Sequence, residues 1–476
     1  MNELPVLIED GAALETAFTN QRQAMLHNAP ADYEHRKSQL DRLIAGLREH
    51  QDSLVDAMNA DFGRRAHSES RLIDVMGPIM DARHARKHLK KWMKPSRRSP
   101  EMLFKGNSTQ VRYQPKGVVG VIVPWNFPLY LGLSPMIAAL SAGNRVMIKM
   151  SETTPRTASV LADFLRSLYP PEEVVVVGGE VELAQHFSSL PFDHLVYTGS
   201  THVGRLVMQA AAKNLTPVTL ELGGKSPAIV SESGSLAMAA SRIAHGKSVN
   251  GGQICISPDY ALVPQDSVDE FVDELGKAYA KMYPADADGS HDTDVVTQRH
   301  FQRLQELLSD AESKGAKLHY LNDKPRSEKH LPLVAVTHVS DDMRLMQEEI
   351  FGGILPIKGY RVLDDVVEYI NRGERPLALY FFGDNQAEAE FILEHTHSGG
   401  VSINDWGWHA FNHDMPFGGT GASGMGHYHG KEGFLELSNA RSVFQRRLWF
   451  PIHLFNPPYG GIHKMAFRLF IGKPSK

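Results

Sequence analysis

Val118-Val119-Gly120-Val121-Ile122-Val123-Pro124-Trp125-Asn126-Phe127-Pro128 is an uncharged, β-branched run that ends in a proline-bracketed turn. Six such residues with no polar alternation predict a strand buried on both faces. Outward from it, short apolar runs recur at 146–149, 174–177, 194–197, 218–222 and 227–230. Most of the gaps carry helical spacing, as at 154–169 and 201–212. Strands alternating with helices of this length predict a parallel sheet covered by helices on both faces. Upstream, Leu40, Leu43, Ile44 and Leu47, then Leu54, Val55 and Met58, recur at helical spacing within 30–95. Alternation at 110–114 predicts a strand. Downstream, helices at 236–250, 268–282 and 298–313 and strands at 318–321 and 377–382 predict a second α/β unit.

The 476 residues suit two or three domains. With 42% apolar and 22% charged residues the chain is globular in composition rather than disordered. Fifty basic against 55 acidic residues give a net charge of −5, the wrong sign for a general nucleic-acid binder. Cys255 is the single cysteine, so no intrachain disulfide and no cysteine-based zinc pattern can form. The opening ten residues lack a basic and then apolar leader, and no run of about 18 apolar residues appears. The expectation is a cytoplasmic protein without a metal.

In an open α/β sheet, ligands bind beyond the carboxyl ends of the strands. Those ends here carry Pro124-Trp125-Asn126, then Lys149-Met150-Ser151-Glu152, then Thr198-Gly199-Ser200 with Gly204 four residues on, then Glu221-Leu222-Gly223-Gly224-Lys225. An amide, a cation, carboxylates and Gly/Ser turns therefore gather on one edge. The only thiol follows a helix in Asn250-Gly-Gly-Gln-Ile-Cys255, among residues that permit close backbone approach. A lone cysteine is ordinarily an inert buried hydrophobe; its setting and the facing carboxylate and amide argue for a reactive one.

Other patterns lead nowhere. Gly419-Thr-Gly421-Ala-Ser-Gly424 fits a dinucleotide fingerprint in spacing, but no strand leads into it, so it reads as a turn. Gly199 to Gly204 has phosphate-loop spacing without the following Lys and Ser/Thr, yet a helix N-terminus there can still face a pyrophosphate. His409 and His413 are four apart with no further ligands nearby. Eight Lys/Arg residues surround Trp92 between 83 and 98, which reads as a solvated helix face.

Taken together, these stretches resemble the aldehyde dehydrogenase superfamily. The resemblance spans about residues 30–445 and rests on seven motifs in order: Pro-Trp125-Asn126-Phe-Pro, Lys149-Met-Ser151-Glu152, Thr198-Gly199-Ser200, Glu221-Leu-Gly-Gly-Lys-Ser-Pro, Gly252-Gln-Ile-Cys255, Glu348-Glu349-Ile-Phe351-Gly and Pro416-Phe-Gly-Gly. The short amino-terminal region and Ser423-Gly-Met-Gly-His-Tyr-His-Gly430 are similar to the class 3 branch, and within it to bacterial enzymes of the coniferyl aldehyde type. Met150, Tyr197 and Gly353 depart from the usual Pro, Phe and Pro of the wider family.

The resemblance implies an aldehyde dehydrogenase-like fold divided as follows. Residues 1–105 and 116–222 form a parallel-sheet NAD-binding domain with N-terminal helices, and 223–422 a catalytic α/β domain. Residues 106–115 with 436–446 form a small β oligomerisation arm, which implies a homodimer; 447–476 are a tail. The implied reaction is oxidation of an aldehyde, aromatic or coniferyl-type, to the acid. Cys255 would be the nucleophile, Asn126 with the Cys255 N–H the oxyanion donors, and Glu221 the base that activates water. NAD, with NADP as the alternative, would be held by Trp125, Lys149, Ser151, Glu152, Gly199, Ser200, Gly204, Glu349 and Phe351; a carboxylate at Glu152 disfavours a 2′-phosphate. Phe127 and Tyr130 on one side, and Trp406, Trp408, His409 and Phe411 on the other, would flank the substrate's approach.

Two alternatives stand beside this. One is a cysteine-dependent amidase or hydrolase without a redox cofactor, for which the Lys149/Glu152 pair and the Gly-Ser turn have no use. The other is membrane-surface contact by the tail, where Trp449, Phe450, Phe455, Phe467 and Phe470 interleave with Lys464 and Arg468. Prolines and glycines interrupt that pattern, so a tail packed on the protein or on a partner subunit is preferred.

Overall fold

The valine-rich runs become neighbours in one seven-stranded sheet. The computed structural model describes residues 4–101, 104–284, 288–322, 327–447 and 456–473. The strand order is Leu7–Ile8, Val174–Val177, Arg145–Lys149, Val118–Ile122, His194–Gly199, Val218–Leu222 and Gly424–Met425. All pairings are parallel except the last. Parallel neighbours need a covering crossover on each face. The helices Tyr130–Ala142, Pro155–Leu168, Val181–Ser189 and Thr201–Ala212 supply them. Register then aligns the strand ends: Ile122 lies opposite Lys149, Lys149 opposite Val177, and Thr198 opposite Glu221.

Pro227–Val230 lies in a second seven-stranded sheet, ordered Lys317–Tyr320, Val334–Thr337, Ile354–Tyr360, Tyr260–Pro264, Pro227–Val230, Ala378–Phe382 and Gly400–Ile403. Only its Lys317–Tyr320 edge is antiparallel. The two strands at its centre, Ile354–Tyr360 and Tyr260–Pro264, are not among the strands expected from the sequence. The glycine-rich stretch read as a turn delivers more than a turn. Gly424–Met425 adds to the edge of the first sheet beside Glu221, and the helix Gly430–Glu436 packs Phe434 against Trp92 and Tyr113. Residues 423–435, outside every unit of the sequence-based division, thus return to the first sheet. The basic stretch behaves as expected: Trp92 is buried while Arg83, Arg86, Lys87, Lys90 and Lys91 are exposed.

A third sheet joins Ser438–Gln445 to Ser108–Pro115 along their full length, with Ser96–Arg97 on the far side. Beyond it, Trp449, Phe450 and Phe455 of the tail lie outside the described residues. Of the two expected placements for the tail, packing on its own chain is slight for the helix Gly461–Phe470. Its His463 is buried, but Ile462, Met465, Phe467, Leu469 and Phe470 are more than half exposed. No helix among the described residues is long and apolar enough to cross a membrane.

Mid-strand Gly120 shows how tightly the first sheet is covered. A Cβ there would meet the Leu195 side chain at 2.7 Å and the Phe192 ring at 2.9 Å. Gly120→Val should therefore destabilise the protein by roughly 1–3 kcal/mol through overpacking. Differential scanning fluorimetry checks this; an unchanged apparent Tm would mean that Phe192 moves aside freely.

Candidate active site

Three consecutive left-handed residues shape the nucleophile loop. Asn250, Gly251 and Gly252 have φ of 52°, 63° and 75° at the end of the helix Leu236–Ser248. At Gly252 a side chain is excluded, since a Cβ would sit 2.6 Å from the Gly352 carbonyl group. The chain then turns through Gln253, whose side chain is wholly buried and fully engaged. Its amide donates to the carbonyls of Asn250 (2.8 Å) and Asp294 (3.1 Å), and its oxygen accepts from the Val296 N–H (2.9 Å). Cys255 follows, half-buried in the wall of a cleft.

Asn126 is buried opposite this loop. One N–H of its side-chain amide donates to the Gln253 carbonyl at 3.1 Å. A primary amide has two, and the second has no partner among the described residues. The side chain is thereby oriented yet keeps one donor for an oxygen at Cys255.

Glu221, at the end of the strand Val218–Leu222, is 2% exposed and neither carboxylate oxygen has a hydrogen-bond partner. Burial without a partner pushes its carboxyl well above the usual range. Burial, with Glu349 and Glu221 nearby, pushes the Cys255 thiol up to about 12. Burial thus favours the neutral form of both groups, an acid and a thiol on one cleft. Tyr428 lies within electrostatic reach of both groups. It is 1% exposed, its hydroxyl is unpartnered, and Glu221, Cys255 and Tyr130 all act on it electrostatically. In the sequence Tyr428 stands within a motif but has no role of its own.

The cleft is about 260 Å³ and is lined by Trp125, Asn126, Thr198, Gly199, Ser200, Glu221, Cys255, Glu349 and Phe351, among others. It brings together most of the residues expected at the cofactor. Ser200 caps the helix Thr201–Ala212 through the Val203 N–H, leaving that N-terminus facing the cleft. Gly199 and Gly204 permit close approach: a Cβ would lie 2.3 Å from the Tyr197 hydroxyl at the first and 2.6 Å from Leu222 at the second. The Thr198 hydroxyl is buried without a partner. Glu349 rests against Gly223, and burial pushes its carboxyl up to about 8. Lys149 stands further along the sheet edge. Its ammonium donates to the carbonyls of Met150 (2.7 Å) and Gly179 (2.8 Å), which leaves one donor, with Glu152 near enough to act on it. Ser151 turns the chain there by accepting from the Thr153 N–H. A helix N-terminus, an orphaned hydroxyl and glycines pared to the backbone fit a dinucleotide.

Two residues in this cleft carry no sequence expectation, His300 and Arg303. His300 packs edge-on to Trp125 at 5.1 Å, and Trp125 packs against Phe351 at 5.4 Å. Arg303 holds the carbonyl of Ile350 and the carboxylate of Glu348. The only signal is their i, i+3 spacing at the start of the helix Gln298–Ser313, which many surface helices share.

The six expected substrate-side rings divide. Phe127 and Tyr130 are buried, Phe127 under the Arg65 guanidinium and Tyr130 with its hydroxyl 3.4 Å from the His429 ring. Trp408 is 61% exposed, and Phe411 is half-buried edge-on to it. Trp406 and His409 depart from the expectation of rings presented on an approach. The Trp406 indole donates to His245 (2.9 Å), and the His409 ring bonds Ser402 (2.9 Å), both inside the body. Gly407, with φ of 75°, starts the short helix Trp408–Phe411 and sends alternate rings inward and outward.

Comparison with known proteins identifies the family. A family model described as the aldehyde dehydrogenase family matches residues 9–443, extending the resemblance through the first helix. The chain is 48% identical over 459 residues to a "Probable coniferyl aldehyde dehydrogenase" of Pseudomonas aeruginosa, covering 96% of each. It is 43% identical to the coniferyl aldehyde dehydrogenase of a Pseudomonas species, covering 93% of this chain and 92% of the relative. The substrate-bound structure of Staphylococcus aureus AldH superposes with a TM-score of 0.91 at 33% identity, covering 96% of this chain and 99% of that one. An NAD+ complex of a Bacillus cereus aldehyde dehydrogenase superposes with a TM-score of 0.83 at 25% identity, over 91% and 88%. With a family model spanning most of its length and relatives of this identity over nearly all of it, the chain belongs to the aldehyde dehydrogenase family.

Proposed function

We propose that the protein oxidises aromatic aldehydes of the coniferyl type to their acids, with Cys255, Asn126 and Glu221 as the reacting groups. The observation that carries the residue roles is the unpartnered carboxyl of Glu221, buried beside the single thiol. A carboxyl that costs desolvation and satisfies no protein donor is a functional-site signal. The family uses NAD(P), and Ser200, Thr198, Lys149, Glu152, Glu349, Trp125 and Phe351 are the residues suited to hold it; when bound, it accepts the hydride as a two-electron oxidant. A carboxylate at Glu152, which would repel a 2′-phosphate, supports NAD as the preferred form.

The protein's own groups do the rest. The Cys255 thiol passes its proton to water as sulfur adds to the aldehyde carbon, and the carbonyl electron pair moves onto the oxygen as the carbon becomes tetrahedral. The free N–H of Asn126 and the Cys255 backbone N–H stabilise that oxygen in a dry site, where fixed donors are worth most. Loss of hydride leaves a thioester on Cys255. Glu221, once ionised, takes a proton from water, whose oxygen attacks the thioester carbon and releases the acid and the thiol.

The coniferyl assignment draws on the two Pseudomonas relatives. Phe127 and Tyr130, buried, and Trp408 with Phe411, turned outward, are the rings we assign to a flat substrate. Aromatic contacts are worth about 0.5–1.5 kcal/mol per pair beyond area burial, roughly 2- to 12-fold each. The oligomerisation arm rests on the third sheet. A three-stranded sheet with an open Ser438–Gln445 edge and a half-exposed Phe444 is a poor isolated unit. We infer that a second copy covers it.

The following outcomes are expected. Cys255→Ala should abolish NADH formation while leaving NAD binding intact, and Glu221→Gln should keep a pre-steady-state NADH burst but lose steady turnover. Because burial raises Glu221, wild-type kcat should climb with pH above the usual carboxylate range as the carboxyl ionises, and Glu221→Gln should flatten that profile. Stopped-flow absorbance at several pH values measures both; an unchanged profile in the variant would remove Glu221 as the base. In an aldehyde panel, kcat/KM for coniferyl aldehyde should exceed that for acetaldehyde on the order of 100-fold, and equal values would overturn the substrate reading. Light scattering should give twice the 52.9 kDa chain mass, and a monomer at micromolar concentration would refute the arm.

A further inference from the structure

Arg65 is among the largest wholly buried side chains in the protein, and nothing in the mechanism above uses it. Its donors are spent in three directions. Nη1 donates to the backbone carbonyl of Asn126 at 2.7 Å, Nη2 to Asp74 Oδ2 at 2.8 Å and Nε to the Ser70 hydroxyl at 3.1 Å. The guanidinium lies over the rings of Phe62 and Phe127, at 4.6 and 5.2 Å from their centroids. The other oxygen of Asp74 accepts the N–H groups of Leu129 (3.1 Å) and Tyr130 (3.0 Å). The ion pair therefore grips the turn after the strand Val118–Ile122 at both ends, by its carbonyl at Asn126 and by its amides where the next helix begins.

The same segment reaches the nucleophile loop. Glu69 accepts the Asn250 N–H at 2.9 Å and faces the Thr293 hydroxyl at 3.3 Å, while the Ala66 N–H donates to that hydroxyl at 3.1 Å. The Asn250 side chain then donates to the Asn126 carbonyl that Arg65 holds, and also to the Gln253 carbonyl, both at 3.2 Å. One carbonyl, that of Asn126, is thus shared by Arg65 and by the loop that carries Cys255.

Stability alone is a poor reason for this pair. Replacing a buried ion pair with apolar side chains of similar volume is often neutral or stabilising, because two charges need not then be desolvated. Geometry is a better reason: a planar fork fixes direction as well as distance. We propose that Arg65, anchored by Asp74, is a positioning residue that sets the Asn126 backbone so that its free amide N–H points at the oxygen developing on the Cys255-bound carbon. The proposal rests on the oxyanion role given to Asn126, so Asn126→Ala is the reference variant.

The test compares Arg65→Met, Arg65→Lys, Asp74→Asn and Asn126→Ala, with the double variant of Arg65→Met and Asn126→Ala. Readouts are kcat, KM, the rate of the NADH burst, NAD binding by fluorescence, and hydrolysis of 4-nitrophenyl acetate, an activated ester that needs thiol and oxyanion donors but no cofactor. Removing one oxyanion donor costs about 10²–10³ in rate, so Asn126→Ala should fall in that range. Arg65→Met should lose about 100-fold in burst rate and in ester hydrolysis, with aldehyde KM and NAD affinity within about 3-fold of wild type. Arg65→Lys should recover part of the loss, and the double variant should be no slower than Asn126→Ala, since both act through one donor. Losses that multiply, or a wild-type burst rate in folded Arg65→Met, would overturn the proposal. Should Arg65→Met not fold, the near-isosteric Asp74→Asn decides the question by the same burst rate and KM. If Asn126→Ala itself stays near wild type, the oxyanion reading fails, which differs visibly from a failure of Arg65 alone.

Discussion

The two sheets meet in a small knot of hydrogen bonds around two backbone carbonyls, those of Asn126 and Gln253. The Asn126 carbonyl receives Arg65 and Asn250, and the Gln253 carbonyl receives the side chains of Asn126 and Asn250. Each donor comes from a different part of the chain: the N-terminal helices, the turn after a central strand, and the loop of the second sheet. Buried amides and carbonyls must be paired, so this pairing fixes the spacing of the two loops. Everything in the site is measured from it: the thiol on one side, the free amide N–H on the other, and the cleft between.

Around that joint the electrostatics are expensive. Glu221 and Glu349 are buried carboxyls pushed upward, and Lys247, fully buried, is pushed down to about 8. A chain selected for stability alone would not hold this many ionisable groups in low dielectric. The surrounding cations limit the cost where no chemistry is needed. Lys225 pairs with Asp259 and donates to the carbonyls of Leu345 and Glu348, and Lys247 approaches Asp259 at 3.6 Å. Glu221 is left without a donor. The sign of the linkage follows. A carboxyl whose pKa is raised on folding leaves stability intact below its unfolded value and lowers it as the pH rises above that, for Glu349 up to about 8.

Much of the architecture is legible in residue order alone. The runs at 118–123, 146–149, 174–177, 194–197 and 218–222 become neighbouring strands because short, largely apolar runs alternating with helices have one good environment, a parallel sheet buried on both faces. The rule that ligands sit beyond the carboxyl ends of such strands then collects Asn126, Lys149, Ser200 and Glu221 on one edge. Register makes that edge real, with Ile122, Lys149 and Val177 abreast and Thr198 beside Glu221. The centre of the second sheet, Tyr260–Pro264 and Ile354–Tyr360, is not among the expected strands, because its short runs are set apart from their surroundings less clearly than those of the first sheet.

The sequence by itself therefore determined the parallel-sheet class, the one thiol, and the roster of groups at the strand ends, since each depends on local spacing and residue type. Only the tertiary structure decided which polar groups are unpaired or enclosed. Arg65, Glu69 and Asp74 read as ordinary residues of a polar helical stretch, yet Arg65 and Asp74 are wholly buried in an ion pair beneath two rings. Trp406 and His409 turn inward while Trp408 turns out because Gly407 takes a left-handed φ. Tyr428 joins the thiol through a segment far along the chain. Burial and partnership depend on what distant segments bring to a side chain, and no local period in the sequence encodes those neighbours.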